Sequence, residues 1–483
     1  MKKLLVSVLL LLAALVGYIL FKTFTFSSKQ LEVALVEKID VPASATAHLQ
    51  EALRLKTISF EDPAKFDSSQ FSLFNAFLKT TYPLADSLLE HRVFNGFSHL
   101  YKWKGSHTEL KPMVLMGHID VVPIASPEKW TVEPFEGQIK DGKIWGRGTI
   151  DDKFSVVGIM EAVELLLAEG FQPKRTLYLA FGHDEEVGGE LGAKTIASFL
   201  KNQGIEAEYV LDEGYAITQG LVPGVDRDVA MIGVAEKGST TIEFTVDMEG
   251  GHSSQPAKET AIDVLAGAVA KLKAEPLPAS ISDAMQDFIE QLGPEMGFIN
   301  KMAFANRKLF SSLIVTTYEN ASNAGNALVR TTTAPTIFEA GIKENVIPTT
   351  ARALVNFRII PGQTAEEVLK HAIEVIDDNR VKARFYGFNS NPSPVSPTDS
   401  KGYEWINRSI KQIFEDTHTA PNLVIGATDA RHFSLISKHV YRFVPYHVNE
   451  DNINTFHGID EHILLEDYAN AIRFYRQLIL NSN

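Results

Sequence analysis

Apolar and polar residues along the chain follow two periods, and each change of period marks an element. Helical spacing over 45–54 and 67–79 predicts two helices. Short apolar runs over 99–103 and 112–116 predict neighbouring strands, and Val114, Leu115 and Met116 in the second lead directly into Gly117, His118 and Asp120. Residues two apart on an extended chain face the same side, so an imidazole and a carboxylate leave this strand end together. A metal ligand and its orienting partner are often supplied in this way. A surface His and Asp after a strand would look the same.

The pattern then repeats. Gly146, Arg147 and Gly148 form a tight loop before Asp151 and Asp152, and 155–169 places Val156, Ile159, Met160, Val163, Leu166 and Leu167 on one helical face, stopped by Gly170. Capping of that helix would by itself explain either aspartate. A buried strand over 176–181 delivers His183, Asp184, Glu185 and Glu186 into a loop closed by Gly188 and Gly189. Adjacent glutamates raise each other's pKa unless a cation is shared or water surrounds them. One could bind metal while the other serves as a base. After a helix over 189–202, the strand 209–211 ends in Asp212, Glu213 and Gly214. Strand, acidic loop and helix have then occurred three times with the acids at the strands' carboxyl ends, the edge where open α/β sheets bind ligands.

At 238 the character changes. An alternating strand over 240–246 precedes the loop 250–256, which carries His252, and a helix over 259–273. A helix over 281–292, strands over 335–339, 351–360 and 381–386, and a helix over 365–377 follow, without acids at strand ends. This suggests a separate α+β domain over 238–388. The Pro- and Ser-rich stretch 389–400 reads as a linker. Then α/β character resumes with a helix over 403–416, a strand over 423–425, the loop 426–432, His457 within 455–461, and a final helix over 464–480. The division expected is 1–44 as a leader and tether, 45–237 with 389–483 as one discontinuous domain, and 238–388 inserted.

Lys2 and Lys3 precede an apolar run over 4–21 that is closed by Lys22. The run exceeds the usual core of a secretory signal and lacks a clear small-residue cleavage site, which favours an uncleaved signal anchor over a cleaved signal peptide. Either way the basic end stays inside and the bulk of the chain lies across the membrane, in a periplasmic, extracellular or luminal space. With 46 basic against 60 acidic residues the net charge is −14, which argues against a nucleic-acid partner. There are no cysteines, so any metal must be held by His and carboxylates. The candidates are His118, Asp120, Asp151, Glu185, Glu186, Asp212 and His457, with Glu213 as the alternate to Asp212. Two histidines among several carboxylates suit a pair of divalent, zinc-like ions better than one structural zinc.

In order, the chain carries GHIDVVP, GRGTIDDK, HDEEVGG, LDEG, GGHSSQP, NVIP and HGIDE. From about residue 45 onward this combination resembles the cocatalytic zinc amidohydrolases that include aminoacylase-1, carboxypeptidase S, carboxypeptidase G and the carnosinases. The resemblance implies a zinc-exopeptidase-like α/β catalytic domain with an inserted lid that often dimerises, and two zinc ions per subunit, replaceable by cobalt or manganese in vitro. It implies that His118 and His457 each bind one ion, that Asp151 bridges them, that Glu186 and Asp212 are the remaining ligands, that Asp120 orients His118, and that Glu185 is the general base. His252 resembles the lid histidine that stabilises the tetrahedral oxyanion, although a loop His capping the next helix is the plainer alternative. Asn345, Arg358 and Arg431 are candidate clamps for a substrate carboxylate; each Arg alone could equally be an ordinary ion-pair residue.

The implied reaction is hydrolysis of an amide beside a free α-carboxylate, in a short peptide or an N-acyl amino acid. The apolar N-terminus and the HGIDE ending are most similar to the carboxypeptidase S branch, which also holds enzymes acting on N-fatty-acyl amino acids. Two rivals remain at this point. One is a membrane-tethered, non-catalytic binding protein of the same fold, against which the intact His118, Asp151, Glu185, Glu186 and His457 weigh. The other is a two-metal aminopeptidase, which would need an acidic anchor for a substrate amine instead of Arg358.

Overall fold

A computed structural model describes residues 1–483. The three strands that end in acids lie side by side and parallel: Met113–His118 is central, with Leu177–Gly182 on one flank and Tyr209–Asp212 on the other. All three are buried on both faces, which explains their continuous apolar runs. Alternation sends Leu115, Leu179 and Leu211 to one face, against the helices Lys153–Ala168 and Leu465–Asn481. Val114, Met116, Tyr178, Ala180 and Val210 go to the other, against Ala193–Asn202 and Ala430–Phe433. The result is a mixed α/β layer structure built on a ten-stranded sheet.

The strand Ser98–Trp103 was expected beside the central strand. It pairs instead with Leu177–Gly182, antiparallel, which places that later strand between them. Strands too short or too uniform to read by pattern extend the sheet, including Val229–Glu236 and Val440–Arg442, and the strand expected over 423–425 overlaps the end of a longer one, His418–Val424. The Pro- and Ser-rich stretch after residue 389 is not a loose linker. It runs along Val229–Glu236, with the amides of Ser393 and Ser396 donating to the carbonyls of Glu236 and Val234, and Ser396 is buried.

A second, four-stranded antiparallel sheet begins one residue after the first ends. Gly238–Asp247 pairs with Thr350–Ile359 and Val381–Ser390, and Thr332–Ala340 completes the edge. The helices Ala261–Ala274 and Ala365–Ile376 cover one face around a separate core that includes Phe244, Leu265, Phe357 and Val368. The stretch 238–388 nevertheless divides in two. Its middle, from Asp283–Leu292 through Asn323–Val329, does not join this core; Met285, Phe288, Ile289, Phe304 and Ile314 pack on Val229, Met231 and Ala420 of the large sheet. The apolar face of Asp283–Leu292 fits the edge strand His418–Val424, which would otherwise be open.

One buried ion pair ties this edge together. Arg442 Nε lies 2.5 Å from Glu236 Oε1, both side chains are buried, and Glu236 also accepts from the amide (3.1 Å) and hydroxyl (2.8 Å) of Thr428. Removing one partner strands a charge in the core, so Glu236→Ala should cost about 3–5 kcal/mol in urea unfolding, while the apolar double replacement Glu236→Leu/Arg442→Met should recover most of it.

Candidate active site

The three strand ends and two later loops converge on one place. His118 ends the central strand, and Gly117 before it lets the chain approach closely, since a Cβ there would lie 2.8 Å from Asp152 Oδ2. His118 Nε2 is 2.9 Å from Asp151 Oδ1 and 3.3 Å from Glu213 Oε1. The other oxygen of Asp151 faces His457, with Nε2 at 2.7 Å from Oδ2, and the same His457 nitrogen is 3.3 Å from Glu186 Oε2. Two groups of metal-capable donors thus form, His118–Asp151–Glu213 and Asp151–Glu186–His457, and Asp151 belongs to both through different oxygens.

Asp212, expected in this cluster, is not in it; Glu213 is. Successive residues of a strand point to opposite faces, so the two cannot both face His118. Asp212 ends its strand buried, with one oxygen left without a hydrogen-bond partner. Asp151 and Asp152 precede the helix Lys153–Ala168, but neither side chain caps it; Asp152 Oδ2 accepts from the His118 amide at 3.2 Å.

Asp120 works in two directions. Its Oδ1 is 3.3 Å from His118 Nδ1, and its two oxygens accept from the amides of Glu185 (3.2 Å) and Glu186 (3.1 Å). The carboxylate thereby fixes the turn that carries both glutamates, and the main-chain carbonyl of Asp120, 3.0 Å from His118 Nδ1, helps to fix the ring. Burial alone would raise Asp120, but the hydrogen bonds it accepts, from His118 first, hold it below its ordinary value.

Glu461, four residues after His457 at the end of the HGIDE motif, is the anchor of the aspartate loop. Its Oε1 accepts from the amides of Gly148 (3.0 Å), Ile150 (2.8 Å) and Asp151 (3.3 Å), while Oε2 sits 2.6 Å from Arg147 Nη1. Both side chains are buried. The signals were present in sequence as an Arg between two glycines and an acid after HGID, but nothing local says that they meet.

The remaining acids crowd one another as well as the two imidazoles. Burial, then the neighbouring carboxylates, push Glu186 up to about 7 and Glu213 up to about 8, and raise Glu185 well above its usual range. Glu186 Oε1 is buried without a hydrogen-bond partner. Asp429, in the loop beside the glutamate turn, has both oxygens buried and unpartnered and is likewise raised by burial and by Asp212. The histidines respond in the opposite sense. Burial would lower them, yet Asp151 and Glu186 carry His457 up to about 10, and Glu213, Asp120 and Asp151 raise His118. The site wants positive charge.

The candidates for substrate contact lie apart from this cluster. Arg431 donates to the carbonyls of Gly188 (2.8 Å) and Thr428 (3.1 Å), lies 5.8 Å from the ring of Phe388 on the smaller sheet, and has a buried Nε without a partner. Arg358, on the smaller sheet, is held below its ordinary value by burial and by the nearby charge of Arg431, with no carboxylate opposing them. His252 is exposed on the two-residue pairing of Gly251–His252 with Val346–Ile347, and its Nδ1 is 2.8 Å from Ser254 Oγ. It does not cap the next helix, because Thr260 and Asp263 do so reciprocally. The carbonyl of neighbouring Asn345 accepts from the Ser253 amide, and its side-chain oxygen is buried without a partner.

Histidines and carboxylates grouped at the carboxyl edge of a buried parallel sheet, with a second sheet carrying cations alongside, define the class as a metal-dependent hydrolase. Residues 114–481 match the family described as Peptidase family M20/M25/M40. The N-fatty-acyl-amino acid synthase/hydrolase PM20D1 of Xenopus tropicalis is 42% identical over 439 residues, 90% of this chain and 85% of that relative. A probable carboxypeptidase S-like 2 of Dictyostelium discoideum is 39% identical over 100% of this chain and 93% of its own length, and carboxypeptidase S of Saccharomyces cerevisiae is 29% identical over 91% and 84%. Among solved structures, the M20 metallo-carboxypeptidase Sso-CP2 of Sulfolobus solfataricus superposes with a TM-score of 0.69 at 18% identity, covering 91% of this chain and 99% of that one. Human carnosine dipeptidase 1 gives 0.62 at 15% identity, over 91% and 96%. The chain belongs to the M20/M25/M40 peptidase family and is a hydrolase of amide bonds.

Two outcomes follow from this geometry. Glu461→Gln would turn an NH2 group toward Arg147 or toward the loop amides, and should weaken metal retention by about 10–100-fold in a chelator competition. The pH dependence of chelated protein has a definite sign. Between pH ~5 and ~8 the unfolded carboxylates are already ionised, whereas folded Glu186 and Glu213 titrate only near 7 and 8 and the two histidines stay protonated. At these four groups the folded state therefore holds more protons across that window, so the stability they contribute falls as pH rises, and the Tm of chelated protein should lose more with rising pH than that of metal-saturated protein.

Proposed function

We propose that this chain is a two-zinc hydrolase that cleaves the amide bond between an acyl group and an amino acid whose α-carboxylate is free. The single observation that carries the two-ion reading is Asp151, which offers one oxygen to the His118–Glu213 group and the other to the His457–Glu186 group. The donor set fits such ions, being His and carboxylate only, with the buried Glu186 Oε1 unsatisfied and neighbouring carboxylates crowded against it. His118, Asp151 and Glu213 would hold one ion, and Asp151, Glu186 and His457 the other. Bound there, two divalent cations would acidify a water and polarise the amide carbonyl.

This chain's own groups do the rest. Glu185, fixed through its amide by Asp120, takes a proton from the water as the new C–O bond forms and returns it to the nitrogen as the C–N bond breaks. Its low-polarity setting, which favours the protonated form, suits that exchange. His252 is proposed to donate to the developing oxyanion once the smaller domain closes, and Asn345 lies beside it to help align the substrate. Arg358, opposed by no carboxylate, and Arg431, whose buried Nε has no hydrogen-bond partner, would hold the substrate's α-carboxylate. The smaller sheet also exposes Ile337, Phe338 and Tyr386, which supports a homodimer formed through that domain.

The acyl group is proposed to be a long aliphatic chain, a reading supported by the relative named for N-fatty-acyl amino acids at 42% identity, with a probable carboxypeptidase S-like relative at 39% making a peptide the alternative substrate. The helix Lys2–Thr25 is long and apolar enough to cross a membrane, and we assign it as an uncleaved signal anchor that leaves the hydrolase on the far side.

Glu185→Gln should keep its metal and lose about 10²–10⁴-fold in turnover; a near-native rate would remove Glu185 from the proton-transfer role. N-oleoyl-phenylalanine, N-acetyl amino acids, Gly-Leu and an amino acid amide, tested side by side, should rank in that order by kcat/KM. Cleavage of the amide alone would refute the carboxylate clamp.

A further inference from the structure

The N-terminal helix is exposed along almost its whole length and meets the body only at its last turns. There the contacts are specific. Asn306 Nδ2 donates to the carbonyl of Ile19 at 3.2 Å and lies 3.3 Å from the Thr23 hydroxyl, which is buried. The rings of Phe24 and Phe298 are 6.2 Å apart, and Phe26 packs against Gly293. Beyond the helix, Lys29 pairs with Glu290 at 2.7 Å and Gln30 bonds to the carbonyls of Gln291 and Thr419. The exit of the apolar helix is thus clamped to one side of the body.

The helices that form this clamp carry an unpartnered apolar surface. Within Phe298–Ala305 and Arg307–Ala321, Phe304 and Ile314 face inward, but Phe298, Ile299, Leu309 and Leu313 face outward, Ile299 at 75% and Leu313 at 58% exposure. Leu309 and Leu313 lie on either side of a kink at Phe310, and both are more than half exposed. Lys301 and Lys308 lie in the same stretch, where Arg307 is answered by Glu290 and the one acid, Glu319, by Arg330. A basic flank beside outward apolar residues stands out on a chain of net charge −14. Such a composition fits the interface of an anionic bilayer, where apolar side chains enter the acyl boundary and cations meet headgroups.

Depth follows from the clamp. The helix is 24 residues long, about 36 Å at 1.5 Å per residue, against a hydrocarbon core of about 30 Å. If Lys2 and Lys3 lie at one headgroup layer, Lys22 lies at the other, and Phe298 beside Phe24 is at that same level. We propose that Phe298–Ala321 is a second membrane contact, a helical pair seated in the outer headgroup layer beside the anchor, which holds the hydrolase against the bilayer in a fixed orientation. The proposal rests on reading Lys2–Thr25 as a membrane span, and its test separates the two.

Because the chain has no cysteine, single-cysteine variants of the full chain can carry an environment-sensitive NBD label without background. The variants are I299C and L313C on the proposed contact, L11C within the span, and I342C on the smaller domain, exposed at 96%. Each is reconstituted in phosphatidylcholine vesicles with or without phosphatidylserine. Expected at positions 299 and 313 are a blue shift and quenching by nitroxide lipids labelled near the headgroup, strengthened by phosphatidylserine, with position 342 as in water. Quenching at 11 with 299 and 313 as wet as 342 would overturn the second contact and leave the anchor standing. No lipid quenching at 11 would overturn the anchor itself. Shielding at 299 and 313 without lipid quenching would assign the surface to a second protein copy, and the bilayer contact would be wrong.

Discussion

Too many carboxylates meet at too few cations where the central parallel strands end, and much of the structure can be understood as the management of that crowding. Some acids are satisfied by the chain itself. Glu461 takes three backbone amides and Arg147, Asp120 takes the amides of Glu185 and Glu186, and Asp184 takes those of Leu191 and Gly192. These hydrogen bonds freeze the loops. Asp151, Glu186 and Glu213 are left facing one another across two imidazoles, and burial in a region of low polarity makes their repulsion costly. A rigid frame holding crowded carboxylates is a frame suited to cations, because the binding energy is stored in the preorganised loops.

The second sheet is joined to this frame with little slack. The strand Val229–Glu236 passes into Gly238–Asp247 through Lys237 alone, and the Lys237 ammonium donates to the carbonyls of Ala327 and Arg330 at 2.8 and 2.7 Å. Glu236, one residue before, is locked to Arg442 and Thr428. Arg431 then bridges from beside Thr428 to the carbonyl of Gly188, at the end of the glutamate turn, and reaches Phe388 on the smaller sheet. The proposed carboxylate clamp and the proposed base are therefore connected through a short run of hydrogen bonds, and a shift of one sheet against the other would be felt at both.

At the opposite pole of the chain, the apolar N-terminal helix is coupled to the body through the segment that left the smaller sheet's core. That segment covers an edge of the large sheet and presents apolar side chains outward. Covering an edge strand and offering a lipid contact are compatible demands on one segment, because Asp283–Leu292 covers the edge while the helices that follow it carry the outward apolar residues.

The strand–acid–helix repetition, the place where character changes near residue 238, and most residues of the candidate site were legible in the sequence, because they depend on short-range periodicity and on motifs whose spacing is local. His118 and Asp120 two apart, or Glu185 and Glu186 side by side, declare their relation within one turn of chain. What only the tertiary structure decided involves distances that periodicity does not encode. The order of strands put Leu177–Gly182 between Ser98–Trp103 and Met113–His118. The parity of the strand Tyr209–Asp212 turned Asp212 away and brought Glu213 to His118. Glu461 reached back across more than 300 residues to the aspartate loop, and Asp283–Val329 packed on the large sheet instead of the smaller one. Sequence determined which chemistry the chain carries, since residue types are local facts; the fold decided which of two neighbouring acids faces His118, since facing direction is fixed only when strands pair and a core chooses one side.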